Sequence, residues 1–401
     1  MALYLATLSL ATRWGRTTQP TPLPEGYDIL LTGTFYSENW LIPHLQPLAG
    51  ATPCRRVRMV ATLPVPSIPK VEPIYPPQWL CKLIGNVPAR LMTFIWLALK
   101  DRPQIVGGFH LQLNGLLAIL LARMIGARSL YICGGGEREI LGGGYLTETK
   151  IFSKIGKADA LIEKQLIAAV RHCDLIIVMG NKTKLFFETH KVPGSIHIMP
   201  GGFDELRFQP SNTYPATDLI TVGRLSMVKR IDLLIETISL LRLSFPSLSA
   251  IIIGDGPDRE ALEEHAKQLG IIEQIHFIGH QDKVEEWLNK AKIFILCSDS
   301  EGVSQAMIQA MLCGLPVVVS NVGDLADVVT EGVNGFLVSE RTPKNFAESI
   351  SILLNSREKQ TIMGQAARRT AEQYGMAASS HKWEVILTSS LHIPAKKQQN
   401  I

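Results

Sequence analysis

The sequence predicts an α/β protein with two doubly wound domains, each a parallel sheet covered by helices on both faces. Short, buried-type strands alternate with helical stretches along both halves of the chain, which is the pattern of a parallel sheet. The chain has 401 residues, of which 46% are hydrophobic, enough to build two packed cores. A turn-rich segment near 205–216 separates the two halves. The cleft between two such domains is the default place for a ligand site.

The alternating pattern sets the predicted domain boundaries. We expect an N-terminal extension over 1–27, a first Rossmann-like domain over 28–205 and a second over 206–375. A C-terminal helix and a frayed tail are predicted over 376–401, with the helix able to pack back on the first domain.

Elements within the domains follow from hydrophobic periodicity and turn residues. The proline-rich segment 64–77 is expected to be extended and non-helical. Residues 343–392 are expected to be helical, with breaks at Gly364 and Gly375. The predicted strands are 28–32, 56–61, 104–108, 128–132, 174–178 and 196–199 in the first domain, and 218–223, 250–253, 274–278, 293–297, 316–319 and 335–338 in the second.

Composition and charge narrow the class of protein. None of the six cysteines forms a Cys-x-x-Cys pair, so a reduced, cytosolic compartment with buried thiols is expected. Residues 1–205 hold 21 Lys and Arg against 14 Asp and Glu, whereas the remainder holds 19 against 22. The basic first half favours an anionic partner, and an uneven solvated surface is the alternative.

The apolar segments are too short to cross a membrane, because no run reaches the roughly 20 residues that a spanning helix needs. Met1–Thr12 is apolar but lacks a basic flank and a cleavage site, so no signal peptide is predicted. The stretch Trp79–Lys100 suits peripheral contact with an anionic membrane, and a core-facing helix is the alternative. The side chains concerned are Trp79, Lys82, Leu83, Arg90, Leu91, Phe94, Ile95, Trp96 and Lys100.

Two cationic residues follow the predicted strand 218–223. Gly223 lets the backbone approach a ligand closely, Arg224 offers a bidentate fork, and Lys229 adds a charge where the next helix starts. At the carboxyl edge of a parallel sheet these groups could neutralise a diphosphate. Alternatively, Arg224 pairs with a surface carboxylate and Lys229 is solvated.

The glycine-rich run 254–257 follows the predicted strand 250–253. By itself this run is more typical of a turn than of a ligand site.

A polar segment follows the predicted strand 293–297. Glu301 can accept hydrogen bonds from two hydroxyls of a sugar, and Gln309 lies eight residues on, about two helical turns away. The backbone N–H groups of Gly302, Val303 and Ser304, at the helix start, suit an anion or a hydroxyl. The alternative is a helix cap beside an incidental acid.

Six short motifs run through the second half of the chain, at Pro200–Asp204, Gly223–Arg230, Gly254–Pro257, Phe277–Gly279, Ser300–Gly302 and Gly314–Val318. In this order they resemble the retaining glycosyltransferases of family 4. The resemblance is strong over about 195–340, weaker over 28–195 and absent over 1–27. It implies the GT-B fold, with an interdomain cleft, and transfer of a sugar from a nucleotide diphosphate with retention of anomeric configuration.

The resemblance also implies roles for single residues. Arg224 and Lys229 match the pair that holds the donor diphosphate, and Glu301 matches the acid that contacts the donor sugar. The second acid of the family's Glu-x7-Glu motif falls on Gln309, which is a departure. Because a neutral hydrogen bond is worth about 0.5–1.5 kcal/mol against roughly 1.5–3 for a charged one, weaker donor binding is expected. Further donor contacts are implied at Gly33, Gly223, Gly254, Gly279, Gly302, Val303 and Ser304.

The first domain departs further from the family pattern. Family members often carry a histidine after the strand that here ends near Cys133, and this chain has Gly134 at that place. We expect His110, at the end of the strand 104–108, to face the same cleft. It would hydrogen-bond the donor sugar or help to remove the acceptor proton. A structural histidine is the alternative.

A glycine-rich loop follows the strand that ends near Cys133. It contains Gly135, Glu137 and Arg138 and is expected to contact the acceptor or the sugar. A mobile loop is the alternative.

The sequence therefore predicts a retaining, metal-independent glycosyltransferase, cytoplasmic or at the inner face of the cell membrane. Its donor would be a nucleotide-diphosphate sugar, a UDP or GDP sugar, used as substrate without a cofactor. Its acceptor would be a glycan or a lipid-linked hydroxyl in polysaccharide or cell-envelope synthesis. There is no Asp-x-Asp pair to suggest a metal, and nucleic acid is not an expected partner. The alternatives are a nucleotide-sugar epimerase of the same architecture and a non-catalytic nucleotide-sugar-binding protein.

Overall fold

The structure is a computed structural model that describes residues 1–14, 25–35, 38–144, 158–211 and 215–391. The chain divides into two compact units. Unit 1 is formed by Met1–Gly202 together with the C-terminal helix, and unit 2 by Phe203–Gly375.

Unit 1 is built on a parallel sheet of seven strands in the order β3-β2-β1-β4-β5-β6-β7. Its central strands are largely apolar and are buried along their length, as expected for a sheet covered on both faces. The strands are β1 Tyr27–Thr32, β2 Cys54–Val60, β3 Val71–Ile74, β4 Ile105–Phe109, β5 Arg128–Cys133, β6 Leu175–Val178 and β7 Ser195–Ile198.

The described helices of unit 1 are α1 Ala2–Trp14, α2 Glu38–Gly50, α3 Gln78–Ile84, α4 Asn86–Asp101, α5 Leu116–Ile125, α6 Ala160–Val170, α7 Asn181–Thr189 and, at the end of the chain, α14 Met376–Leu391. Helix α1 packs on α5, with Leu8 in the core and the Tyr4 hydroxyl donating to Leu116 O at 2.8 Å. Helix α14 packs on α2 and buries Trp383 and Leu387.

Unit 2 contains a parallel sheet of six strands in the order β10-β9-β8-β11-β12-β13. These strands are β8 Thr217–Val222, β9 Ala250–Ile253, β10 Ile275–Gly279, β11 Ala291–Leu296, β12 Val317–Ser320 and β13 Gly335–Val338. Its described helices are α8 Ile231–Leu241, α9 Arg259–Gln268, α10 Val284–Leu288, α11 Gln305–Leu312, α12 Pro343–Leu354 and α13 Arg357–Glu372.

The predicted fold class is confirmed, since both units are parallel-sheet, Rossmann-like α/β structures. The predicted strands lie within two residues of the observed ones. Strand β3 was not predicted as a strand, but it lies within the segment 64–77 that was predicted to be extended. It includes Pro73 and lies at the sheet edge, where a missing N–H is tolerated. The frayed tail predicted at the end of the chain lies outside the described residues, which end at 391.

The predicted helix break at Gly364 is wrong, because this glycine lies inside α13. A Cβ at Gly364 would lie 2.1 Å from the carbonyl oxygen of Gly314. The glycine therefore allows α13 to pack closely on that loop. The break instead falls between Leu354 and Arg357, and the second predicted break, at Gly375, does separate α13 from α14.

Two of the side chains predicted for a membrane-facing surface are buried instead. Phe94 lies in the core, and the Arg90 guanidinium donates to Thr32 Oγ1 at 2.5 Å and to Asn114 Oδ1 at 2.9 Å. Burial lowers the pKa of Arg90 to about 10. The prediction rested on the composition of the stretch Trp79–Lys100, which does not show which side chains face the core. No described helix is both long enough and apolar enough to span a bilayer.

The other face of this region is exposed and apolar. Trp79 in α3 is 66% exposed and Trp96 in α4 is 56% exposed, and Leu83 in α3 and Leu99 in α4 are exposed as well. Lys100 Nζ lies 4.4 Å from the Trp96 ring centroid. We call the side chains of Trp79, Leu83, Trp96 and Leu99 the α3–α4 apolar face.

Candidate functional site

Each sheet has one point at which the strand order reverses. In unit 2 it lies between β8 and β11, because the chain continues from β8 to β9 and β10 on one side and from β11 to β12 and β13 on the other. In unit 1 the same reversal lies between β1 and β4. In open α/β sheets, ligands bind outside the carboxyl ends of the strands at such points.

The reversal in unit 2 brings together two residues that lie 72 positions apart. Lys229 Nζ, in the segment after β8, donates to Glu301 Oε1, in the segment after β11, at 2.5 Å. The same carboxylate oxygen accepts from Ser298 Oγ at 2.6 Å. The Lys229 side chain is 25% exposed and that of Glu301 is 11% exposed. The structure thus places a cation and an acid of the predicted site in direct contact.

Backbone contacts join the two loops. The N–H of Asp299 donates to Val228 O at 2.8 Å. The Asp299 carboxylate lies 3.4 Å from both Arg230 Nη1 and Arg341 Nη2. Charged contacts from two segments, the one after β8 and the one after β13, therefore hold the loop that carries Glu301.

Arg224 lies at the start of the loop after β8, which also carries Lys229, and is half-buried. The aliphatic stem of Lys229 passes over the neighbouring glycine, since a Cβ at Gly223 would lie 3.8 Å from Lys229 Cε. Gly223 thus lies directly beneath the cationic side chain that reaches Glu301.

Gly254 is required by backbone packing. It has φ +128°, and a Cβ there would lie 1.8 Å from the carbonyl oxygen of Gly223. The N–H of Gly223 donates to Ile253 O, and the N–H of Gly254 donates to Gly279 O, both at 2.9 Å. The predicted donor contacts at these glycines therefore lie on loops that touch one another.

Sequence reasoning missed Gly323, in the loop after β12. It has φ +58°, and a Cβ there would lie 1.7 Å from the carbonyl oxygen of Glu301. This glycine lets a third loop pack on the backbone of the acid. The available signal was a glycine soon after a buried strand. The sequence does not show, however, that this glycine packs against Glu301.

The helix behind Glu301 starts later than the spacing prediction assumed. Helix α11 runs from Gln305, and its N-cap Ser304 accepts from the Met307 N–H at 3.4 Å. Glu301 precedes the helix, so the eight residues to Gln309 are not two continuous helical turns. Gln309 lies within α11 and is half-buried.

The reversal in unit 1 carries two predicted residues, Gly33 after β1 and His110 after β4. A Cβ at Gly33 would lie 2.8 Å from Phe109 Cβ, so this glycine packs on the end of the neighbouring strand. The His110 backbone has φ +62° and ψ 144°. This conformation is uncommon for any residue with a Cβ.

His110 pairs with a buried acid that the sequence analysis did not select. His110 Nδ1 lies 2.8 Å from Glu139 Oε1. The Glu139 side chain is 3% exposed and that of His110 is 39% exposed. Burial lowers the pKa of His110, but the Glu139 carboxylate outweighs burial and the pKa is raised above 6.5. Burial raises the pKa of Glu139, and its hydrogen-bond donors, chiefly His110, bring it below the usual value.

The glycine-rich loop after β5 adjoins this pair. A Cβ at Gly134 would lie 3.0 Å from His110 Cε1, so the imidazole fills the space in which a side chain at 134 would begin. Glu137 pairs with Lys182 at 2.6 Å and Arg138 is half-buried. Three charged residues follow one another here, and the fold directs only Glu139 toward His110.

The described residues contain no group of three or more His, Cys, Asp or Glu side chains arranged to hold a metal ion.

Two Rossmann-like domains, each built on a parallel sheet, are the architecture of GT-B glycosyltransferases. The solved structure of HepE from Anabaena in complex with UDP-glucose is similar, with a TM-score of 0.68 and 18% identity over 90% of this chain and 100% of that one. Residues 203–370 match the family model of glycosyl transferases group 1, and unit 2 is therefore a domain of that type.

Several named proteins match part of the chain. An uncharacterised glycosyltransferase of Haemophilus influenzae is 28% identical over 224 residues, which cover 55% of this chain and 62% of the relative. The Vi polysaccharide biosynthesis protein VipC/TviE of Salmonella typhi is 36% identical over 118 residues, covering 28% and 20% respectively. The chain thus matches less than two thirds of the length of these relatives.

Proposed function

We propose that this protein is a glycosyltransferase that moves a sugar from a nucleotide diphosphate to an acceptor hydroxyl, with retention of configuration and without a metal ion. The observation that carries the proposal is the contact between Lys229 and Glu301 at the reversal point of a group 1 domain. A cation for the diphosphate and an acid for sugar hydroxyls are there side by side.

Each group has a distinct task in the proposed reaction. Arg224 and Lys229 bind the diphosphate and stabilise the negative charge that grows on the leaving group. Glu301 accepts hydrogen bonds from the donor sugar, and its contact with Lys229 sets its orientation before the donor arrives. The N–H groups of Gly302, Val303 and Ser304 would supply donors at the start of α11.

The donor we propose is a UDP sugar, because the similar HepE structure holds UDP-glucose. The test is incubation with UDP and GDP sugars across a panel of glycan and lipid-linked acceptors, with nucleotide release and product formation followed together. Acceptor-dependent release, and a product whose anomeric proton shows the donor's configuration by NMR, would support the proposal. Sugar conversion without an acceptor would indicate an epimerase. Tight binding with no turnover would indicate a binding protein.

Gln309 is the proposed ribose contact, and its replacement by glutamate should tighten donor binding. A carboxylate that accepts a ribose hydroxyl forms a stronger hydrogen bond than an amide, so Gln309→Glu should lower the UDP dissociation constant about fivefold. Isothermal titration calorimetry measures the change directly. An unchanged affinity would contradict this placement of Gln309. The control is Gln268→Glu, because Gln268 is exposed at the end of α9 in the same unit.

The α3–α4 apolar face is the proposed contact with an anionic membrane, where a lipid-linked acceptor would be available. Exposed tryptophans beside lysines suit an anionic lipid interface. Trp79→Ser together with Trp96→Ser should reduce co-sedimentation with phosphatidylglycerol-containing vesicles at least about tenfold, since each buried indole contributes roughly 1.5–3 kcal/mol. The control is the double variant Leu161→Ser with Leu185→Ser, because these two leucines are also exposed in unit 1 but lie outside the α3–α4 apolar face. Equal binding by both double variants would contradict this surface.

A further inference from the structure

We infer that Glu139 is a positioning residue that holds the His110 imidazole so that Nε2 meets a substrate hydroxyl. The inference rests on the proposed function, and it assigns to unit 1 a carboxylate–histidine pair that acts in the same reaction. Four observations on the described residues carry it: the hydrogen bonds of Glu139, the backbone of His110, the packing around the imidazole, and the burial of one partner beside the exposure of the other.

Glu139 is buried, and its two oxygens accept four hydrogen bonds, from the reversal point, from strand β5 and from the glycine-rich loop. Oε1 contacts His110 Nδ1 at 2.8 Å and accepts from the Gly135 N–H at 2.6 Å. Oε2 accepts from the Leu111 N–H at 2.6 Å and from the Tyr131 hydroxyl at 2.7 Å. A buried carboxylate with this many donors is held in one orientation, and it holds its donors in turn.

The backbone at His110 supports the same conclusion. A left-handed φ at a residue with a Cβ costs on the order of 1–3 kcal/mol and persists only where surrounding contacts impose it. Here the N–H of His110 donates to Ile132 O at 3.0 Å, and its carbonyl accepts from the Gly115 N–H at 2.9 Å. The next N–H along the chain, that of Leu111, donates to Glu139. These three hydrogen bonds hold the backbone of His110 in its unusual conformation. Such strain is typical of functional positions.

The imidazole is held on its faces as well as at Nδ1. The Trp40 ring stacks on it, with centroids 5.7 Å apart and planes 22° apart. Gly134 leaves the space that the ring occupies. Because Nδ1 is engaged with Glu139, Nε2 is the nitrogen left for a substrate, and the side chain is exposed enough to reach one.

Three buried titratable groups beside this pair are neutral near pH 7, and Glu137 of the adjoining loop pairs with Lys182 instead. Burial, with a smaller contribution from His110, lowers the pKa of His44 to about 3. Burial raises the pKa of Tyr131 and of Cys133 well above their usual values. Glu139 is thus the charged group that governs the proton on His110.

The direct test is an NMR titration of His110 in Glu139→Gln, with the ring signal assigned by its loss in His110→Ala. Without the carboxylate, His110 should titrate at lower pH than in the wild-type protein. Asp174→Asn is the matched control, because Asp174 also accepts four hydrogen bonds, from Arg123, Arg128 and Ser129, and precedes a strand at the opposite end of the same sheet. It should leave the His110 titration unchanged.

Kinetics supply the second readout. Glu139→Gln should lower kcat for sugar transfer at least tenfold, with the KM for the donor changed less than threefold. In the His110→Ala background the same substitution should change kcat less than twofold, because a positioning residue acts through its partner. Tyr131→Phe, which removes one donor to Glu139, should give a smaller loss and keeps the test available if Glu139→Gln folds poorly.

An unchanged His110 titration in Glu139→Gln, or an equal loss of kcat with and without His110, would overturn this inference alone. Absence of transfer by the wild-type protein with every donor and acceptor would instead defeat the proposed function. In that case the titration would still decide whether Glu139 governs His110.

Discussion

Replacing Lys229 with alanine is expected to lower sugar-transfer turnover at least about 100-fold, a loss typical of groups that stabilise developing charge. Lys229 lies at the reversal point of the second sheet and contacts the acid proposed to bind the donor sugar. The substitution removes a positive charge from the leaving group and also leaves Glu301 without its cationic partner. Arg224→Ala should cause a loss of the same order, because it also removes a positive charge from the proposed diphosphate site.

The measurement is single-turnover transfer from the preferred nucleotide sugar, with UDP affinity determined in parallel. Lys344→Ala is the control, because Lys344 is an exposed lysine on α12 of the same unit that pairs only loosely with Glu348, at 3.9 Å. It should leave turnover within about twofold of wild type. Near-normal transfer by both Lys229→Ala and Arg224→Ala would defeat the assignment of the donor site.

Gly323→Ala is expected to destabilise unit 2 by on the order of 3–5 kcal/mol and to abolish transfer, because the substitution is incompatible with the backbone. The added Cβ would meet the carbonyl oxygen of Glu301 at 1.7 Å, and that atom belongs to the main chain and cannot rotate away. The loop that carries the acid must therefore move. Gly254→Ala should behave similarly, since its Cβ would meet the Gly223 carbonyl oxygen at 1.8 Å.

Gly332→Ala is a closely matched control for this prediction. Gly332 also has a left-handed φ, +72°, but a Cβ there would meet nothing within 4 Å. Gly332→Ala should therefore lower the free energy of unfolding only by the cost of a left-handed backbone at alanine, about 1–2 kcal/mol. The free energy of unfolding of each variant, from urea titration, separates the two effects. Equal destabilisation by Gly323→Ala and Gly332→Ala would show that the contact with Glu301 is not tight.

Local features could be predicted from the sequence because they depend on residues close together in the chain. The strand positions follow from short apolar runs bounded by turn residues, and the cation and the acid were recognised because each follows such a run. The local sequence pattern predicts less reliably those features that depend on packing between distant segments. Gly364 looks like a helix breaker in sequence, but it is required for α13 to approach the Gly314 loop.

The sequence by itself determined the α/β class, the order of strands and helices, and the loops on which Lys229, Glu301 and His110 lie. Only the tertiary structure decided which loops meet. Strand pairing in a parallel sheet joins distant segments, so the proximity of β8 and β11, and with it the contact between Lys229 and Glu301, depends on non-local packing. The same reason explains why Glu139 pairs with His110, whereas Glu137 pairs with Lys182. The sequence shows that both residues are acids, but only the fold sets the direction and the burial of each side chain.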